Sequence, residues 1–170
     1  MKGILKAMII CIVLALAVLL TLWGVRVIRE RRRIASYEPY DGIIGSVSYS
    51  SGGGMDGGST RISAENTDGG YVLITVERRS SPKGREEKKT FKADPQVFRD
   101  LEEMVSGCGM KDWGELPVSE FIALDAPVKS VTIDFTDGTW KTIRSTDQLP
   151  DGCEGLIADI RQILEKYTEN

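Results

Sequence analysis

Hydrophobic residues are distributed in three regimes along this chain. From Ala7 to Val25 (AMIICIVLALAVLLTLWGV) they run on with no charge and no polar face. A helix of about 19 residues at ~1.5 Å per residue spans roughly the ~30 Å hydrocarbon core of a bilayer. A surface helix would keep a polar stripe, so this run predicts one transmembrane helix rather than an amphipathic one. From residue 42 the pattern changes to short alternations. Val47 and Tyr49, then Arg61–Glu65, Tyr71–Glu77, Lys89–Ala93, Val131–Phe135 and Trp140–Ser145 predict about six strands separated by Gly, Asn and Asp turns. Between and after them come two helical stripes. Val97, Phe98, Leu101, Met104 and Val105 form the first, with Asp94 as N-cap, Pro95 at the first turn and Gly107 as the terminating glycine. Leu156, Ile157, Ile160, Ile163, Leu164 and Tyr167 form the second, expected to start near Cys153.

One apolar face per strand and one stripe per helix are buried most simply in an α+β fold. The expectation is an antiparallel sheet of about six strands with two helices on one face, preceded by one transmembrane helix. The other face of the sheet is then either wet or a docking surface. The division expected is a short basic N-terminus (1–6), the span (7–25), a basic juxtamembrane segment and linker (26–41) and a soluble domain (42–170). About 130 residues is an ordinary domain size and buries a core without metal or disulfide help.

Charge sharpens this division. Seven basic and two acidic residues precede Asp41, and fifteen basic and twenty-three acidic residues make up the rest. An acidic domain repels phosphate backbones, so a nucleic-acid partner is not expected. Trp23 and the cluster Arg26, Arg29, Arg31, Arg32 and Arg33 sit where a membrane interface would be. The arginines either bind anionic lipid, at about 1 kcal/mol each near the surface, or only terminate the span, and the second role already requires them. A cleaved signal peptide would end in small residues, whereas this run ends Leu22-Trp23-Gly24-Val25-Arg26, so the span is expected to be retained. A positive-inside count places the domain in the cytoplasm. Moving Lys2, Lys6 and the amino terminus outward costs ~2.3 kcal/mol per charge per 100 mV, however, while long domains translocate largely regardless of charge. The balance leans to an extracytoplasmic domain on a single-pass cell-membrane protein.

The chain has no histidine, which removes Ser-His-Asp and Cys-His catalysis and the usual zinc sites. No cofactor or metal is expected. Gly52, Gly53, Gly54, Met55, Asp56, Gly57 and Gly58 form either a flexible strand connection or a backbone nest for a ligand or partner. Their spacing mimics a phosphate loop, but Ser59 stands where the lysine is needed. Trp113, with Met110 and Phe121 nearby, is either a packed loop residue or part of an aromatic contact patch. Cys108 and Cys153 end and begin helices that would lie side by side. They are either free thiols or a disulfide closing about 45 residues, worth roughly 4 kcal/mol in the chain-entropy model, and a reactive Cys153 is the third alternative. Glu86-Glu87 and Glu102-Glu103 are neighbours in sequence and so diverge in space. Asp134 and Asp137-Gly138 are assigned to a hairpin turn.

Several phrases together, Ser48–Met55 with Gly57-Gly58, Gly109–Trp113, Ala123–Pro127 and Asp147–Pro150, resemble uncharacterised bacterial envelope domains carried behind a membrane anchor or lipoprotein signal. The resemblance covers nearly all of the soluble part and implies an envelope location, with no functional residue to carry over. The expected role is a membrane-tethered, non-enzymatic module that meets lipid through its span and an unknown protein or envelope ligand through its domain. The alternatives are a carboxylate- or thiol-based envelope hydrolase and a structural or regulatory subunit of a membrane complex.

Overall fold

The computed structural model describes the backbone of residues 2–53, 57–119 and 126–168, and their side chains from residue 12 onward. It divides into two compact units, Met1–Tyr37 and Glu38–Asn170.

The first unit is helix α1, Lys2–Ala35. Its segment Ile12–Ala35 contains an 18-residue window with a mean hydropathy of 2.1, and the helix is long and apolar enough to cross a membrane. Ile12, Leu16, Leu19 and Trp23 are all exposed. The one hydroxyl on this stretch, Thr21, returns its hydrogen to the Ala17 and Val18 carbonyls at 2.9 and 2.8 Å, which removes a free donor from an apolar surface. Arg32 and Arg33 occupy the last turn, where cations complement the helix dipole.

The expected basic juxtamembrane segment and linker, 26–41, lies across the boundary between the two units. Helix α1 continues to Ala35, and the second unit begins at Glu38 rather than residue 42. The physical reason is Tyr40, which is 8% exposed and belongs to the domain core. Its ring meets Phe98 edge-on with centroids 5.3 Å apart.

The second unit is an α+β domain. Strands β1 (Ile44–Gly52), β2 (Ser59–Asn66), β3 (Val72–Arg79) and β4 (Glu86–Ala93) are followed by helix α2 (Gln96–Gly107) and a 3-10 turn at Met110–Asp112. Strands β5 (Val128–Phe135) and β6 (Trp140–Arg144) and helix α3 (Leu156–Lys166) complete it. The six strands form one antiparallel sheet in the order β4-β3-β2-β1-β5-β6. Alternate residues, Val47, Tyr49, Ile62, Ala64, Val72, Ile74, Val131, Ile133 and Ile143, point into a single core with Val97, Phe98, Leu101, Ile160 and Leu164 from the helices. A register shift between Ile44 and Ser46 restores the inward phase, so Ile44 and Val47 are both buried although three residues apart.

The turns follow their chemistry. Gly138 takes φ +84° between β5 and β6, and the Asp137 carboxylate accepts from the Thr139 N–H at 3.0 Å. Asp94 caps α2, its Oδ1 accepting from the Gln96 N–H at 2.9 Å. The far end of α2 differs from expectation. Gly107 is the last helical residue, and Gly109 is the one in the left-handed conformation, at φ +62°. Helix α3 likewise starts at Leu156, three residues beyond Cys153, because Asp151–Gly155 forms turns closed by Cys153 N–H to Pro150 O and Leu156 N–H to Cys153 O.

Candidate functional site

Period-two alternation that buries one side of the sheet displays the other. The registers place the outward residues in rows that run straight across the strands. In the central row Thr90, Thr75, Ser63, Ser48, Thr132 and Thr142 are direct neighbours from β4 to β6, so every strand contributes a hydroxyl. The row above it reads Lys88, Glu77, Arg61, Ser50, Ser130, Arg144, and the row below reads Lys92, Leu73, Glu65, Ser46, Asp134, Trp140.

Hydrogen bonds between neighbours hold these side chains upright. The Ser50 and Ser130 hydroxyls are hydrogen-bonded at 2.8 Å, as are those of Thr132 and Thr142. Ser46 Oγ donates to Asp134 Oδ2. This corrects the expectation for Asp134, which stands on the strand face, while Asp137 alone makes the turn. At the β3–β4 end the charges are internally matched. Lys88 Nζ donates to Glu77 at 2.8 Å, and Arg79 Nη2 to Glu86 at 2.9 Å. The Lys88 hydrogen bond holds the Glu77 carboxyl below its usual range, and Glu77 in turn raises Lys88. In the β2–β1–β5–β6 part, Arg61, Arg144 and Glu65 make no ion pair within 4 Å among the described residues. Trp140 is 64% exposed at the corner. This part is therefore a patch with a basic row, a hydroxyl row and an acidic row carrying a tryptophan.

The residues singled out from sequence lie around this face. Gly52 ends β1 opposite Ser59. Gly53 and Gly57 take φ +90° and +61°, and a Cβ on Gly57 would come within 2.4 Å of Pro82 Cγ, so glycine is needed there for close approach. Gly54, Met55 and Asp56, like Phe121, lie outside the described residues. Gly52, Ser59, Arg61, Glu77 and Glu86, with Ser51, Thr60 and Arg78 of the opposite phase, line a groove of about 350 Å³ at this end of β1, β2 and β3. Trp113 is a half-buried packing residue. Its indole N–H donates to the Cys108 carbonyl at 3.0 Å, and its own carbonyl accepts from Lys141. It also lines, with Leu116, Val118, Trp140 and Thr142, a groove of about 660 Å³ along β6. The face left uncovered among the described residues of this unit and this groove thus meet at Trp140 and Thr142.

Cys108 and Cys153 are joined, with Cα atoms 6.0 Å apart, within the span a disulfide requires. The bonded Cys153 presents no thiolate, so the reactive-thiol alternative has no support from the geometry. Nor do the paired acids converge. Glu86 turns to Arg79, Glu102 accepts from the Tyr40 hydroxyl at 2.6 Å, and Asp137 is held well below the usual carboxylate range by hydrogen bonds from Lys111 and then Thr139. Among the described residues no group of three His, Cys, Asp or Glu side chains could hold a metal ion.

The arrangement offers fixed hydrogen-bond partners and charges on an open surface, suited to recognition. The row structure was missed in the sequence because it depends on registers. The signal available was the run of Ser and Thr at outward positions, Ser46, Ser48 and Ser50 above all. Compared with known proteins, the chain matches no family model and has no significant match to a curated protein.

Proposed function

We propose that this protein is a membrane-tethered, non-enzymatic binding module whose working surface is the uncovered face of its sheet. The observation that carries this reading is the patch itself. Among the described residues Arg61, Arg144 and Glu65 make no ion pair within 4 Å, and they stand beside a hydroxyl row and an exposed Trp140, so these charges are displayed on the face without being taken up by a salt bridge. An enzyme would need acids or a nucleophile converging in a pocket, and the ionisable side chains of this face lie in flat rows. The apolar helix α1 supports a single-pass tether. The Cys108–Cys153 pair supports a domain outside the cytoplasm, since disulfides persist in oxidising compartments.

A photo-crosslinking residue at Ser63 in the full-length chain tests the surface in growing cells, with Glu103 on α2 as the comparison site. The reading expects adducts from position 63 and few from 103. Equal yields, or none from 63, contradict it. Protease treatment of intact cells tests the compartment, and a domain that stays intact until the membrane is broken places it in the cytoplasm.

A further inference from the structure

From the charge pattern of the uncovered face we infer that its partner is a second copy of this chain, stacked face to face with the hydroxyl row on the two-fold axis. This rests on the reading of that face as a binding surface.

In the columns β2, β1, β5 and β6 the upper row reads Arg61, Ser50, Ser130, Arg144, the middle row Ser63, Ser48, Thr132, Thr142, and the lower row Glu65, Ser46, Asp134, Trp140. A copy turned over about the middle row keeps its columns and exchanges upper and lower rows. Arg61 then faces Glu65 of the second copy, Ser130 faces Asp134, and Arg144 faces the exposed indole of Trp140, a cation–π pairing. The hydroxyls of the middle row face their own counterparts, and a hydroxyl both donates and accepts. Each contact between an upper and a lower row occurs twice, and each middle-row contact lies on the axis and occurs once, as a two-fold interface demands. Turning the copy about the strand direction instead puts basic row on basic row, which like-charge repulsion opposes. The pattern therefore selects one stacking. The outer column limits the contact, because it would bring Lys88 towards Lys92 of the second copy. The area is accordingly modest. Four columns at ~4.8 Å and four residue steps at ~3.4 Å span roughly 14 Å each way, about 200 Å², roughly a quarter of the ~800 Å² per partner of a standard interface. Association is weak in dilute solution and is aided when two copies share a membrane.

The test uses the full chain in lipid vesicles, with Cys11→Ala to remove the third cysteine and Ser48→Cys on the proposed axis. A short bismaleimide, which bridges the ~10 Å between stacked sheets, is expected to link Ser48→Cys chains into dimers, and Lys83→Cys chains in a distant loop much less. Arg61→Glu or Glu65→Arg alone is expected to cut the yield about tenfold, since each opposes like charges. The double exchange Arg61→Glu/Glu65→Arg is expected to restore it. Arg61 and Glu65 are four residues apart on one strand, ~13 Å, so restoration cannot arise within a chain. Yield at Ser48→Cys no higher than at Lys83→Cys, or a double exchange that stays low, overturns the inference. If Ser48→Cys fails to link while the photo-crosslinker at Ser63 captures another molecule, only the choice of partner falls. If both fail, the binding reading falls with it.

Discussion

The Tyr40 hydroxyl donates to Glu102 Oε2 at 2.6 Å and accepts from the Ile44 N–H at 2.9 Å, so one side chain ties the start of the domain to both α2 and β1. Tyr40→Phe leaves the Ile44 amide without its acceptor in a buried setting. The expected loss is about 1–3 kcal/mol, the cost of an unsatisfied buried group, read from denaturant unfolding.

The same tyrosine sets an alkaline limit. Burial first, and then the bond to Glu102, pushes the Tyr40 phenol far above its ordinary value, and burial with Asp100 pushes Tyr167 up to about 12. A folded-state value above the unfolded one, about 10, means the folded protein holds the proton more tightly. This contribution to stability is complete below pH ~10 and is lost as pH rises through the folded values. Unfolding midpoints should hold steady up to pH ~10 and fall above it. Tyr40→Phe should make the fall shallower.

Tyr49 presents the opposite case. It is 1% exposed, Arg161 lies over its ring at 5.7 Å and close enough to interact with its oxygen, and that buried oxygen makes no hydrogen bond of ordinary geometry among the described residues. Removing an unsatisfied polar atom costs nothing in hydrogen bonds, so Tyr49→Phe should be neutral or stabilising by up to ~1 kcal/mol. A loss larger than that in thermal unfolding would show that the hydroxyl is satisfied in solution.

The end of α2 supplies a paired prediction. Gly107 is helical, and a Cβ added there would meet nothing within 4 Å, whereas Gly109 is left-handed at φ +62°. Gly107→Ala should stabilise by roughly 0.5–1 kcal/mol, and Gly109→Ala should destabilise by about 1–2 kcal/mol. The reverse order in chemical denaturation would return the cap to Gly107.

The Cys108–Cys153 bond closes a separation of 45 residues and links the end of α2 to the turn before α3. The Cys108→Ser/Cys153→Ser double variant should lose about 2–4 kcal/mol, and the reductant-treated wild type should match it. A wild type indifferent to reductant would show that the pair is unformed.

Much of this fold was legible in the chain. The strands announced themselves because alternation such as Val72, Ile74, Val76 reflects a face that must be buried, and α2 because Asp94 and Pro95 carry capping chemistry. Boundaries were less legible where two residues compete for one role. Gly107 and Gly109 both suit a helix end, and only the backbone path decides between them. The segment before the domain reads as a linker in the sequence, yet Tyr40 is recruited into the core by contacts more than fifty residues away. The patch was hidden for a related reason. Ser48, Ser63 and Thr132 are ordinary residues singly and become a row only once β1 lies between β2 and β5.

The most direct test of the central claim, that the uncovered sheet face is where this protein meets its partner, is the maleimide labelling rate of Ser63→Cys and Thr132→Cys in native membranes, compared with the same chains dispersed in dilute detergent. The account predicts that both positions are protected in the membrane and become several-fold more reactive on dispersal, while Glu103→Cys on the helical side labels equally in both. Equal rates for all three positions in the two states would contradict it.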